Sequence, residues 1–373
     1  MKSFSKTISV ISIISGTIIG VGLFALPYIT LQVGFWTMLF YFLFLGLVAI
    51  IVHLFFVDVS VKTPDLKRFP SFAKIHLGST AEKIAFFSTI FGIIGTLLSY
   101  LIIGGGFLNT ILNSFGIGEN SFWGVIIFFI LAAGLIFFDI KYVSSIEFWG
   151  LVLFILILGV LFFVSVPHLN VDNLFIGKAT AQNIFLPYGA VLFSLWGAAL
   201  IPEAEEMLDR NKKKLKKIVA LAILIPIVVY LFFIFIILGV CGKATTESAM
   251  VCLNNFLPQG ILNLSLFFGF LTCFTSFITM GLTLKKVFWF DLKINKNVAW
   301  AITCFIPLIL YFLGVQNFIQ IISILGGVLL AIDGILIILM HRKVNPQKFR
   351  VLRYFLIAIF VIGIIYEIVY FIK

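Results

Sequence analysis

Long apolar segments separated by short polar connections make up nearly the whole of this chain. A run of about 20 apolar residues is what an α-helix needs to cross the hydrocarbon core of a bilayer. The pattern therefore predicts an all-α integral membrane protein with eleven transmembrane helices and no soluble domain. The predicted spans are roughly 7–30, 35–58, 84–113, 121–138, 146–166, 184–208, 215–240, 259–286, 297–314, 317–340 and 351–371.

The first predicted span contains residues that interrupt helices: Gly16, Gly20 and Gly22, followed by Pro27. Glycine weakens a helix interior, and proline removes a backbone donor and clashes with the preceding turn. At membrane depth, freed backbone groups are tolerated only where protein or a water-filled cavity satisfies them. The sixth span has the same spacing from glycine to proline in Gly197–Pro202. The sequence predicts that spans one and six are both broken, as in transporters that bind solutes at such breaks.

The positions of the two breaks predict an internal repeat. Spans one to five, about 7–166, and spans six to ten, about 184–341, form two halves. An odd number of spans in each half inverts the second half relative to the first. Residues 1–341 then make one transporter domain with a 5+5 inverted repeat, and residues 342–373 add a C-terminal span.

Composition and charge placement favour the same class. The chain is 62% hydrophobic and 11% charged, whereas a soluble domain is about 25% charged. With the N-terminus in the cytoplasm, every Lys and Arg except Lys178, Lys243 and Lys373 falls on the cytoplasmic side, as the positive-inside rule favours. The net charge of +11 then reflects topology and anionic lipid, not nucleic acid. We expect a multi-pass protein of the cell membrane with its C-terminus outside.

The four cysteines do not predict a metal or redox site, because none forms a C-x-x-C pair. Cys241 and Cys252 flank the same predicted outer loop, where either a disulfide or two free thiols fits the sequence. Cys273 and Cys304 lie within spans and are expected to pack as small apolar residues.

The segment Gly16–Pro27 resembles the opening motif of bacterial aromatic amino-acid permeases and the wider amino-acid/auxin permease group. Tyr100 with Gly104–Gly106, Phe193–Gly197 and Thr275–Ser276 resemble further motifs of that group. That permease group is part of the amino acid–polyamine–organocation superfamily, whose members have the fold first described for the leucine transporter. The resemblance covers nearly the whole chain. It implies secondary active transport of amino acids by alternating access, with aromatic or bulky apolar substrates.

A broken helix offers complementary groups to both ends of an amino acid. The N–H groups that begin a half-helix bind a carboxylate, and the carbonyls that end one bind an ammonium or a cation. Two alternatives remain: Gly16-x-x-x-Gly20 is also a close-packing spacing, and Tyr100 suits a helix interface as well as a substrate. The predicted substrate-binding residues are Gly16, Thr17, Gly20, Val21, Gly22, Tyr100, Phe193, Ser194, Trp196 and Gly197.

Coupling to a gradient requires a site for a sodium ion or a proton. Thr275 and Ser276 offer hydroxyl oxygens to sodium, unless they bond to the backbone of their own helix. Asp333 is the first candidate for carrying a proton, because intramembrane acids are costly and functional by default; the alternative is a structural pairing. Glu203 is the second candidate. The choice between sodium and proton stays open.

Other polar residues receive structural interpretations. We expect Glu205, Glu206 and Asp209 to pair with Lys212–Lys217 at the inner face, and His53 to be structural. The chain contains no H-E-x-x-H motif, nucleophile elbow or convergent His/Asp set, so an enzyme is not predicted. The alternative function is a non-transporting amino-acid receptor on the same fold. The expected partners are an amino acid and membrane lipid, and the oligomeric state stays open.

Overall fold

The computed structural model describes residues 2–64, 68–117, 122–138, 143–209 and 211–372, and these residues contain helices and no β-strand. Residue 121, where the fourth predicted span begins, and Lys373 lie outside the described residues. The α-helices are α1 (Lys2–Ile18), α2 (Leu26–Val33), α3 (Phe35–Lys62), α4 (Phe69–Leu77), α5 (Ser79–Ser114), α6 (Trp123–Phe137), α7 (Val143–Ser165), α8 (Pro187–Ser194), α9 (Ile201–Met207), α10 (Lys212–Cys241), α11 (Gln259–Lys286), α12 (Lys296–Phe312), α13 (Phe318–Ile324), α14 (Ala331–Val344) and α15 (Arg350–Ile372).

Each predicted span coincides with a helix or with an interrupted series of helices. Within the described residues, seven helices are long and apolar enough to cross a membrane alone, and the bent pair at the N-terminus makes an eighth. The helices α6 and α12 are apolar but shorter. The structure therefore supports a multi-pass helical protein, and the total of eleven spans stays a prediction.

The first span is interrupted at the position that its glycines predict. The helix α1 ends at Ile18, and a 3₁₀ helix, Val21–Ala25, follows with Gly20 in an extended conformation before it. The two parts of the span are bent by 46°. Pro27 lies in the first turn of α2, where its missing N–H costs no helical hydrogen bond.

The sixth span repeats this order of elements. The helix α8 ends at Ser194, a 3₁₀ helix follows at Ala198–Leu200, and α9 begins with Pro202 in its first turn. In both spans the break is followed by a short 3₁₀ helix and then by an α-helix that starts beside proline. In both spans, glycine therefore lies at the break and proline lies where the α-helix begins again.

The glycines that follow Tyr100 bring three helices together. A Cβ on Gly104 would lie 2.5 Å from the Phe128 ring of α6 and 2.8 Å from the Cβ of Cys273 on α11. A Cβ on Gly105 would lie 2.5 Å from a methyl group of Val125, also on α6. Small residues thus let α5 approach α6 and α11 closely, and α5 carries Tyr100 toward the first break.

Ion pairs join helix ends on the predicted cytoplasmic side, and some of them connect helices that are distant in sequence. Asp209 pairs with Lys6 of α1, at 2.9 Å. Lys212 and Lys216 lie 2.8 Å and 2.9 Å from Asp58 on α3. Helix packing thus sets the partners of Asp209 and Asp58, and the pairing of Glu205 and Glu206 with Lys212–Lys217 stays a prediction.

The structure pairs Cys241 with Cys252 in a disulfide, with the two Cα atoms 6.0 Å apart. The bond closes the loop between α10 and α11. Cys273 and Cys304 are free and buried, as expected for packing residues.

Candidate functional site

The breaks of spans one and six meet at Gly22 and Ser194. A Cβ on Gly22 would overlap the Ser194 hydroxyl and lie 3.2 Å from a ring carbon of Phe193. Nearby, a Cβ on Gly197 would lie 2.9 Å from the Cδ1 of Ile18, the last residue of α1. The structure therefore brings Gly22, Phe193, Ser194 and Gly197 into one tightly packed region.

Backbone groups at the first break lack their regular helical partners. The Gly20 N–H bonds the Ile18 carbonyl at 2.8 Å, and so does not continue the α-helix four residues back. After the break, the first 3₁₀ bond runs from the Leu23 N–H to the Gly20 carbonyl at 3.3 Å. The N–H groups of Val21 and Gly22 precede that bond, at the start of the 3₁₀ helix, where backbone donors have no partner within the helix.

Two polar side chains lie beside these backbone groups. The Thr17 Oγ1 is buried and has no hydrogen-bond partner. A Cβ on Gly20 would lie 2.7 Å from the Tyr100 hydroxyl, so Tyr100 of α5 reaches the first break. A buried hydroxyl without a partner, such as that of Thr17, is rare in a folded protein and is a candidate ligand contact.

Tyr230 of α10 holds the ends of both interrupted helices. Its hydroxyl lies 2.6 Å from the Ile18 carbonyl and 2.7 Å from the Ser194 carbonyl, and its ring is fully buried. These carbonyls end α1 and α8, so one hydroxyl proton is shared between two helix C-termini. The sequence interpretation missed Tyr230, because a tyrosine in an apolar span gives no local sign of a partner 212 residues away.

His53 of α3 accepts a hydrogen bond from the backbone of the second break. The Gly197 N–H donates to its Nε2 at 2.9 Å, and its Nδ1 lies 2.7 Å from the Ala49 carbonyl. Since a carbonyl only accepts, Nδ1 carries the proton and Nε2 is the acceptor. The imidazole also packs edge-on against Trp196, with ring centres 5.1 Å apart. His53 was expected to be structural; its contacts place it at the predicted substrate site.

A cavity of about 330 Å³ adjoins the first break. It brings Gly16 of α1 together with Thr275 and Ser276 of α11, although these residues are far apart in sequence. The Thr275 hydroxyl donates to the Thr272 carbonyl at 3.2 Å, so the alternative of a bond within its own helix is observed. Most of the wall is apolar. The other lining residues are Ile19, Trp149, Gly150, Leu151, Leu153, Phe154, Phe268, Leu271 and Thr272.

The candidate acids lie apart from this cavity. Asp333 of α14 is buried and accepts a hydrogen bond from the Ser88 hydroxyl of α5 at 2.5 Å. Glu203 is exposed, whereas Glu205, two residues on, is buried and accepts a bond from Ser60 of α3. In the described part of the chain, no group of three or more His, Cys, Asp or Glu residues is arranged to hold a metal ion.

Two solved transporters share this fold over almost the whole chain. One is Mhp1, a nucleobase-cation-symport-1 family transporter in a closed conformation with bromovinylhydantoin bound. It is 11% identical with a TM-score of 0.69, and the match covers 98% of this chain and 91% of that one. The other is MhsT in complex with L-phenylalanine, 12% identical with a TM-score of 0.68, covering 98% and 97%. At this identity the likeness establishes the fold alone.

Sequence comparisons go further than the fold. A tryptophan-specific transport protein of Haemophilus influenzae is 24% identical over 332 residues, covering 79% of this chain and 77% of that protein. The profile of the tryptophan/tyrosine permease family matches residues 4–370. This match places the chain among multi-pass membrane transporters of amino acids and not among enzymes. The chain belongs to the tryptophan/tyrosine permease family.

Proposed function

We propose that this protein carries aromatic amino acids, tryptophan foremost, across the cell membrane by alternating access. The observation that carries the proposal is the meeting of two interrupted helices at Gly22 and Ser194. Their backbone ends offer hydrogen-bonding groups at membrane depth, which is where transporters of this type bind solutes. The substrate class is supported by the family and by the tryptophan-specific relative.

In this proposal the substrate lies between the two breaks. The N–H groups of Val21 and Gly22 receive the carboxylate, and helix N-termini favour such anions. Phe193 and Trp196 of the sixth span contact the aromatic side chain. Since Gly22 and Ser194 are packed together here, entry of the substrate requires these two segments to separate, which is a movement that alternating access supplies.

The coupling ion has two proposed sites. A sodium ion fits the hydroxyls of Thr275 and Ser276 together with a carbonyl near Gly16, since all three residues line one cavity. A proton fits Asp333, whose carboxyl is buried beside Ser88. The two sites are on different helices, so separate variants distinguish them.

The test is uptake of labelled amino acids into proteoliposomes that contain the purified protein. We expect tryptophan to accumulate in preference to apolar aliphatic and charged amino acids. Sodium and pH gradients are imposed separately, and dependence on only one of them selects the coupling ion. Saturable binding of tryptophan without counterflow would contradict transport and would favour the receptor alternative.

Variants of the two breaks test the site itself. Gly20→Leu and Gly197→Leu are expected to abolish uptake, because a side chain there meets Tyr100 or Ile18 at less than 3 Å. The matched control is Gly92→Leu on α5, where an added Cβ has no neighbour within 4 Å. Normal transport by either break variant would contradict the placement of the site.

A further inference from the structure

The last helix, α15, carries a buried acid that the transport site does not use. Glu367 is 2% exposed, although it lies in an apolar span. A Cβ on Gly189, in the first turn of α8, would lie 2.6 Å from its Oε1, so the carboxyl lies against the α8 backbone. Its Oε1 is buried without a hydrogen-bond partner. An intramembrane acid with an unsatisfied oxygen is costly to keep and is by default functional.

In the described part of the chain, the titratable side chains that interact electrostatically with this carboxyl are tyrosines. They are Tyr41 of α3, Tyr188 of α8 and Tyr366 of α15 itself. The Tyr188 hydroxyl bonds the Ile359 carbonyl at 3.3 Å, and the Tyr366 hydroxyl is buried without a partner. Among these groups no cation balances a carboxylate. Because burying an unpaired charge is expensive, this arrangement accommodates the neutral, protonated acid.

Glu367 lies where the sixth, tenth and eleventh spans cross. Its side chain packs directly onto Gly327, within the π-helical segment Leu325–Leu330. A Cβ on the adjacent Gly326 would overlap the Gly189 carbonyl of α8, so the two backbones touch at this point. From Gly189, α8 runs only to Ser194, where the second break begins. The acid is therefore in contact with the half-helix that ends at the proposed substrate site.

We propose that Glu367 is a proton-binding group of the transport cycle, linked through α8 to the break at Ser194. The proton is held while α8 is packed on α15. When α8 moves away and water reaches the carboxyl, the O–H bond breaks, the proton passes to water and a carboxylate remains. Protonation restores the packing. This inference rests on the proposed function, and it adds a proton site on the eleventh span to the one proposed at Asp333.

The test compares Glu367→Gln with the wild-type protein in proteoliposomes. Gln keeps the shape of the side chain but binds no proton in this range. We expect loss of the stimulation of tryptophan uptake by a proton gradient, while tryptophan counterflow, which needs no net proton movement, is retained. The matched control is Glu206→Gln, an exposed acid of α9, which should keep both activities.

The outcomes separate this proposal from the transport function. Wild-type counterflow without any response to a pH gradient would overturn the role of Glu367 and leave transport standing. Gradient-stimulated uptake by Glu367→Gln would overturn it too. If that variant does not insert, labelling of the wild-type protein by an apolar carbodiimide, which modifies buried protonated carboxyls, decides the question by peptide mass spectrometry. We expect modification at Glu367 that tryptophan slows; an unmodified Glu367 would refute the proposal.

Discussion

The Tyr230 hydroxyl is the one atom within hydrogen-bond distance of the ends of both interrupted helices, among the contacts described above. It lies 2.6 Å from the Ile18 carbonyl and 2.7 Å from the Ser194 carbonyl. A carbonyl at the end of a helix has lost its intrahelical donor, and in a membrane no water is at hand to replace it. Tyr230 therefore fixes the two breaks relative to each other from a third span.

Tyr230→Phe removes this hydroxyl and keeps the ring. A buried polar group left without its partner costs about 1–3 kcal/mol. We expect a lower unfolding temperature in detergent and slower tryptophan uptake, because the two helix ends are no longer joined. Thermal unfolding and initial uptake rates measure the two effects.

The control is Tyr311→Phe on α12, a tyrosine that lies outside the breaks. It should change uptake little. Equal effects of the two substitutions would show that the Tyr230 hydroxyl has no special role in joining the helix ends.

At the residue scale, the sequence predicted the positions of the breaks but not what fills them. Glycine and proline act through their own backbone, so their effect is visible locally. Tyr230 bonds Ile18, which is 212 positions away, and His53 bonds Gly197, which is 144 positions away. The residues next to Tyr230 and His53 in the sequence give no sign of these contacts. Glu367, like Asp333, is an acid within an apolar span, but its place in the C-terminal span outside the two repeats did not predict a role in transport.

At the element scale, the sixth span depends on α3 for its broken section. The Gly197 N–H belongs to no regular helix and finds its acceptor on His53 Nε2. The neutral imidazole donates through Nδ1 to Ala49 and so keeps Nε2 free to accept. A single ring thus connects the second span to the loop between α8 and α9.

His53→Leu is expected to impair uptake more than membrane insertion. The Gly197 N–H then has no acceptor, and the break loses a bond that fixes its shape, at a cost of about 1–3 kcal/mol. His53→Gln provides an amide oxygen and should restore part of the activity. Uptake and tryptophan binding by the two variants are compared at equal amounts of inserted protein.

Rescue by Gln separates hydrogen bonding from packing. If Leu and Gln variants are equally inactive, the ring contact with Trp196, and not the acceptor atom, is what matters at this position. If both are fully active, His53 does not support the transport site.

At the scale of the whole molecule, apolar length predicted the order of the helices well, since each predicted span has a helical counterpart. The periodicity of apolar residues says less about which helices pack against each other, because many spans are apolar on all sides. The ion pairs of Asp58 and Asp209 illustrate this: acidic and basic residues were correctly placed near one another, but their partners are set by helix packing. The direction of the chain through the membrane remains a prediction from charge placement.

The disulfide between Cys241 and Cys252 ties down the loop that covers the end of the bundle beside α5. Residues of that loop, Thr246–Ser248 and Val251, line a second cavity of about 360 Å³ together with Gly106 and Phe107 of α5. Closing a loop of this size stabilises a fold by about 3 kcal/mol in the chain-entropy account. The loop is thereby held over the same helix that presents Tyr100 to the first break.

Replacing both cysteines with serine is expected to lower the unfolding temperature while leaving tryptophan transport present, because the bond constrains the loop and not the breaks. Reductant should lower the unfolding temperature of the wild-type protein and have no further effect on the double variant, which serves as the control for reduction elsewhere. If reductant shifts both proteins equally, the loop is not held by this bond. If the double variant folds but no longer transports, the loop over α5 takes part in the cycle itself, and its position would have to change as the two breaks separate.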